Sequence, residues 1–101
     1  MPSVHWLARA EDDINALFRY IVLEGGSPTT AMNYIDRIRL RCQRLADFPL
    51  SGRSRSEYRR DLRSIPFERL MIFYLPREGG IAIYRVVNAA RDYGKLFATE
   101  D

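Results

Sequence analysis

A chain of 101 residues, 47% of them hydrophobic and 29% charged, holds one modest core. It is short for two domains and too apolar for wholesale disorder. The net charge is only +3, from 15 arginines and one lysine against 13 acids, but the arginines cluster in the middle of the chain. Such a patch suits an acidic partner, either a polyanion or an acidic protein segment. The longest uninterrupted apolar run, Leu70 to Leu75, has six residues, against the ~20 of a membrane-spanning helix, so no membrane association is expected.

Ser3 to Leu7 is short and partly apolar and predicts a first strand. From Ala10 the period changes: Ile14, Leu17, Phe18 and Ile21 recur at threes and fours, which marks one apolar face of a helix. Glu11, Asp12 and Asp13 fall in its expected first turn, solvated and favoured by the helix dipole. Gly25-Gly26 ends this helix, and Ser27-Pro28 starts the next with a capping hydroxyl and a proline whose missing N–H costs nothing there. Ala31, Tyr34, Ile35, Ile38, Cys42 and Leu45 form the second apolar stripe, and Pro49 and Gly52 close that helix near Asp47. The short link makes the two helices an antiparallel hairpin.

Residues 51–57 are polar and predict a loop. Strands are predicted over Tyr58 to Ile65, Arg69 to Leu75 and Ile81 to Val87, with Pro66 punctuating the first link and Arg77-Glu78-Gly79-Gly80 a tight hairpin turn. Asp92 to Phe97 adds a helical turn or an edge segment. The expected fold class is therefore α+β, one domain over residues 1–101. An N-terminal strand is followed by an antiparallel helical hairpin packed on a mainly antiparallel sheet with three C-terminal strands.

Positive charge is concentrated in the middle of the chain: residues 37–63 carry nine arginines against three acids, whereas residues 1–24 carry two against four. The N-terminus has neither the basic start nor the long apolar run of a signal peptide. The single cysteine, Cys42, fits a reducing cytoplasm. With one histidine, His5, it makes no zinc or iron cluster, and neither Gly-Gly pair matches a phosphate-loop or dinucleotide fingerprint, so no cofactor is expected. What remains is Arg63, Arg69, Arg85 and Arg91 on or beside the predicted strands, with Tyr74, Tyr84 and Tyr93. Such a set suits phosphate clamping and base stacking better than proton transfer.

Several spaced segments resemble the ParE/RelE superfamily of bacterial type II toxins, closest to its ParE branch of plasmid stabilisation toxins. Ala10-Glu11-Asp12-Asp13-Ile14 with Leu17 and Tyr20-Ile21 resembles the first-helix pattern of that family. Phe48-Pro49-Leu50-Ser51-Gly52 is similar to its Pro-x-x-Gly helix exit, and Leu62-Arg63 with Ile72-Phe73-Tyr74 to its central strands. Arg85 to Asp92 is similar to its last strand and terminal Arg-Asp.

The resemblance implies a toxin neutralised by a cognate antitoxin, whose acidic, partly disordered segment wraps it. Homodimer and hetero-oligomer both stay open. In ParE relatives the implied target is DNA gyrase, and with it replication and growth; in RelE relatives it is messenger RNA on the ribosome. Arg69 and Arg91 match the phosphate-contacting arginines of RelE-like nucleases. Phe97, however, stands where those enzymes often carry a functional tyrosine, Asn88 where many relatives carry histidine, and Arg59, Asp61 and Arg63 where a lysine pair is expected. A nuclease built from Arg63, Arg69, Arg91 and Tyr93 is thus the alternative, and a gyrase-binding inhibitor without catalysis the first reading. The expected partner contacts are Arg53, Arg55, Arg59, Arg60, Arg63, Arg69 and Arg91, whose guanidiniums recognise carboxylates bidentately. Trp6, Leu50 and Phe97 are expected as apolar anchors wherever they are exposed.

Overall fold

Two short signals divide the first half of the chain. Ser27 accepts a hydrogen bond from the Thr30 N–H at 3.0 Å, and Pro28 opens the helix behind it. In the computed structural model, which describes residues 1–99, the elements are β1 (Ser3–Trp6), α1 (Ala8–Leu23), α2 (Pro28–Leu45), β2 (Arg53–Ser54), β3 (Arg63–Phe67), β4 (Leu70–Arg77), β5 (Gly80–Asn88) and α3 (Tyr93–Ala98). One sheet runs β1-β5-β4-β3-β2. β1 is parallel to β5, and every other neighbouring pair is antiparallel. The architecture is α+β, as the sequence pattern implies.

The sheet is covered on both faces, unequally. Ala10 and Ile14 of α1 and Ile35, Ile38, Cys42 and Leu45 of α2 pack on Ile65, Ile72, Tyr74, Ile81, Ile83 and Val86. A thinner second layer lies opposite, where Leu62, Leu96 and Phe97 cover Phe73, Leu75 and Val87. The α1 stripe is shallower than its periodicity suggests, because Leu17, Phe18 and Ile21 are only half-buried. The face that those residues leave open is part of the groove described below.

Three local expectations change. Tyr58 to Leu62 forms turns and no strand: the Tyr58 N–H donates to the Arg55 carbonyl, the Leu62 N–H to the Arg59 carbonyl, and Asp61 takes φ 66°. Their apolar side chains roof the second layer. The polar 51–57 stretch contains the two-residue β2. Pro66 lies within β3, opposite Met71. β2 pairs only with Arg63 and Ser64, so β3 is an open edge beyond them, where proline's missing N–H costs no ladder bond. The reversal falls instead at Glu68, with φ 53°, and Arg37 of α2 holds its carboxylate. Asp92 caps α3 by accepting from the Lys95 N–H at 3.1 Å, which makes the tail a helix rather than an edge strand.

Two glycines sit at close approaches, one to a side chain and one to a neighbouring backbone. The Gly52 N–H donates to the Tyr74 hydroxyl at 2.9 Å, and that hydroxyl donates to the Pro49 carbonyl at 2.8 Å. A Cβ on Gly52 would lie 2.4 Å from the Tyr74 hydroxyl oxygen. The Pro-x-x-Gly helix exit is therefore a collar around one buried phenol. A Cβ on Gly80 would lie 1.9 Å from the Ser3 carbonyl oxygen, so Gly80→Ala pushes β1 off β5. That overpacking should cost about 1–3 kcal/mol, measured by denaturant unfolding, with faster hydrogen exchange at the Ser3–Trp6 amides.

Burial pushes the Cys42 thiol up to about 12 from an ordinary 9.0, against the pull of Arg41 and Arg39. Burial raises Tyr74 as well, from 10.0. The unfolded chain therefore releases these protons first, so their contribution to stability is present below about pH 9 and is lost as pH rises towards 12. The denaturation midpoint should fall between about pH 8 and pH 11, and Cys42→Ala should recover part of the fall. At neutral pH a thiol reagent should modify Cys42 only as fast as the chain opens.

Candidate functional site

β1 stops at Trp6, opposite Ile83, which leaves the outer edge of β5 without a strand beyond that point. Asp13, in the second turn of α1, takes over. Its carboxylate accepts from the Val86 N–H at 2.8 Å and from Arg85 at 2.8 and 3.0 Å. Arg85 is buried and Asp13 largely so, with side-chain exposures of 7% and 14%. Reading Asp13 as part of a solvated first turn missed this pair. The signal was present in the spacing, because Asp13 lies three residues after Ala10 and four before Leu17, on the apolar stripe itself.

Beside this pair a groove of 870 Å³ opens between the helices and the sheet. α1 contributes Ala16, Leu17, Tyr20 and Ile21, α2 contributes Thr30 and Tyr34, and the sheet contributes Leu70, Val86 and Val87. Tyr20 is 62% exposed, which is much apolar surface for a residue on a helix facing a sheet. Arg69, Asn88 and Arg91 line the groove where β4 begins and β5 ends. Arg69 and Arg91 are exposed, and neither has an acidic partner among the described residues. Burial raises the Tyr34 hydroxyl pKa, with Glu68 adding to the effect and Arg37 opposing it.

The remaining arginines do not form one patch. Arg55 is buried: its Nε donates to the Ser64 hydroxyl at 2.8 Å, and its guanidinium lies 5.9 Å from the Phe73 ring centroid and 5.3 Å from that of Tyr93. The expected docking role for Arg55 gives way to a structural one, since a stacked, hydrogen-bonded guanidinium inside the fold has no face for a partner. Arg63 is half-buried and donates to the Leu50 and Gly52 carbonyls at 3.1 and 2.8 Å, fastening the α2 exit to β3. Arg37 pairs with Glu68 and Arg39 with Glu11. Arg53 is exposed on the outer strand β2. Arg59 and Arg60 are exposed beside the second layer, on the sheet face opposite the helices.

The expected apolar anchors also separate. Leu50 is 68% exposed, next to Phe48 at 70%. Trp6 is half-buried under the Arg39 guanidinium, 4.7 Å from its ring centroid. Phe97 fails the condition of exposure: it is 9% exposed and stacked between Tyr58 and Tyr84. Helix α3 folds it inward because Phe73 and Leu75 need a cover on that face. The four residues of the nuclease alternative do not converge either. Arg69 and Arg91 line the groove, Arg63 is bound to the α2 exit, and Tyr93 packs in the second layer with its hydroxyl donating to the Ala89 carbonyl at 2.6 Å. Asn88 is likewise occupied, its side-chain oxygen accepting from the Ala90 N–H at 2.8 Å.

No curated protein matches the chain. A solved structure described as the chromosomal ParDE TA system from P. aeruginosa matches with a TM-score of 0.71. At 22% identity over 87% of this chain and 96% of that one, it shows a shared fold. The model of the family described as the ParE toxin of type II toxin-antitoxin system, parDE, matches residues 4–93, from the first strand through the groove-lining arginines to the start of α3. The chain belongs to the ParE toxin family of type II toxin–antitoxin systems.

Proposed function

We propose that this toxin arrests growth by binding DNA gyrase without catalysing a reaction, and that an acidic antitoxin segment seated in the groove keeps it silent. The observation that carries the antitoxin half is the groove itself. It has an apolar floor and an exposed tyrosine, and two arginines without acidic partners among the described residues stand at its rim. An amphipathic segment with an apolar ridge and carboxylates beside it complements all three features. Bidentate guanidinium–carboxylate pairing would fix its register. The exposed Phe48 and Leu50, with Arg53 beyond them in the chain, offer a further contact for a segment long enough to wrap the hairpin.

The gyrase half rests on the resemblance to the ParE branch, and two features support binding over catalysis. Phe97 has no proton to give, and the Tyr93 hydroxyl is engaged by a backbone carbonyl. A general acid needs a proton within reach of the leaving oxygen, and neither residue offers one. Induction of the chain without its antitoxin distinguishes the targets. Filamentation and a DNA-damage response with intact messages support gyrase poisoning. Rapid translation arrest with messages cut at defined sites would reject it.

A further inference from the structure

On the sheet face away from the groove, three exposed arginines surround a cleft of 460 Å³. Arg59 and Arg60 come from the turn before β3 and Arg77 from the end of β4, with Leu75 and Pro76 between them. Among the described residues Asp61 is the one acid lining the cleft, and it lies 3.9 Å from the Arg60 Nε, a loose contact between two exposed groups. Arg77 has no acidic partner among the described residues. The cleft lies at the Arg77–Gly80 end of the β4–β5 hairpin, whereas Arg69 and Arg91 stand at the Leu70–Asn88 end. The two basic sites are therefore separated by the length of β4, ~25 Å at the usual rise per residue.

A stack of aromatic rings lies behind Arg59, the residue that joins it to this cleft. Tyr58 stacks on Phe97 at 5.1 Å with 19° between planes, and Phe97 on Tyr84 at 5.9 Å and 12°. The exposed Arg59 guanidinium lies over the Tyr84 ring, 5.0 Å from its centroid, and its Nη1 donates to the Tyr84 hydroxyl at 3.5 Å. An exposed guanidinium backed by a ring can stack a nucleobase, and two further guanidiniums beside it match phosphate oxygens. We infer that this cleft binds a single strand of nucleic acid, with a phosphodiester between Arg60 and Arg77 and a base stacked on Arg59. The stacked rings of Tyr58, Phe97 and Tyr84 behind Arg59 favour this occupant over an acidic peptide, which would use the charge alone. A single strand is favoured over a duplex because only an unpaired base presents its face.

Fluorescence anisotropy with labelled dT10 tests the inference on the whole purified chain, with U10 titrated in parallel to tell which sugar the cleft prefers. Arg60 and Arg77 are exposed, so Arg60→Glu and Arg77→Glu should leave the melting curve unchanged. Each should weaken binding of the preferred strand about tenfold or more, and neutralising each arginine should lower the salt slope by about 0.7. Arg59→Lys keeps the charge and removes the plane, so it should weaken dT10 more than inorganic tripolyphosphate. Arg44→Glu, on α2, should have little effect. The inference fails if neither strand binds at low salt, or if Arg44→Glu weakens binding as much as Arg77→Glu. It also fails if a hexaglutamate peptide displaces the strand as readily as unlabelled dT10, which would make the cleft a carboxylate site.

Discussion

Asp13→Ala should be the most destabilising single substitution in this chain. It leaves a buried arginine without its carboxylate and takes the acceptor from the Val86 N–H, at a place where no strand can replace it. Breaking one side of a buried pair costs about 3–5 kcal/mol, and at ~4–8 °C per kcal/mol for a domain this size the melting temperature should drop by at least about 12 °C. Asp13→Asn should fall between wild type and alanine, because the amide oxygen still accepts from Val86. The double substitution Asp13→Leu with Arg85→Met should recover much of the loss, since matched apolar groups remove both desolvation costs together. A double variant as unstable as the sum of its parts would mean that the pair contributes through packing alone. The same experiment bears on the groove, because Asp13 lines it.

How legible the chain was follows from which interactions are local. The helical hairpin could be read because its signals are local: Ser27 and Pro28 at the start of α2, and five buried stripe residues from Ala31 to Leu45. The three main strands were legible as apolar runs, but their limits were not, because those depend on partners. Pro66 looks like a break until β3 proves to be an open edge there. Tyr58 and Leu62 look like strand residues until a second layer needs a roof.

Charge was the least legible feature. Nine arginines between 37 and 63 suggest one basic patch, yet their guanidiniums divide among ion pairs, carbonyl staples, an internal aromatic stack and two sheet faces. A sequence count of charge carries no direction, and direction is set only when the sheet assembles. Arg69 and Arg91 stand out beside the predicted strands and again in the family pattern. That they share a groove with Tyr20 and Leu17 depends on contacts between α1 and β5, which no local pattern encodes.

The largest effect on partner binding should come from Tyr20→Asp combined with Arg91→Glu. Tyr20 is the most exposed aromatic lining the groove, and a buried tyrosine anchor at an interface is worth about 2 kcal/mol or more. Placing a carboxylate there also repels an acidic segment. Reversing Arg91 should act mainly on encounter, slowing association and weakening its salt dependence. Together they should reduce antitoxin affinity by about a hundredfold or more, the equivalent of ~2.7 kcal/mol. Stability should barely change, because both side chains are exposed. Arg19→Glu, exposed on α1 and not lining the groove, controls for the charge reversal at Arg91. Equal losses for the control and the groove variant would place the antitoxin elsewhere on the surface.

The most direct test of the toxin's action is a supercoiling assay with purified gyrase from the native host, the purified chain, and the antitoxin added last. Micromolar toxin should block supercoiling or trap cleaved DNA, and antitoxin should restore the reaction for the wild-type chain but not for the Tyr20→Asp, Arg91→Glu variant. Full gyrase activity at every toxin concentration, from a preparation that still arrests growth when expressed, would contradict gyrase as the target.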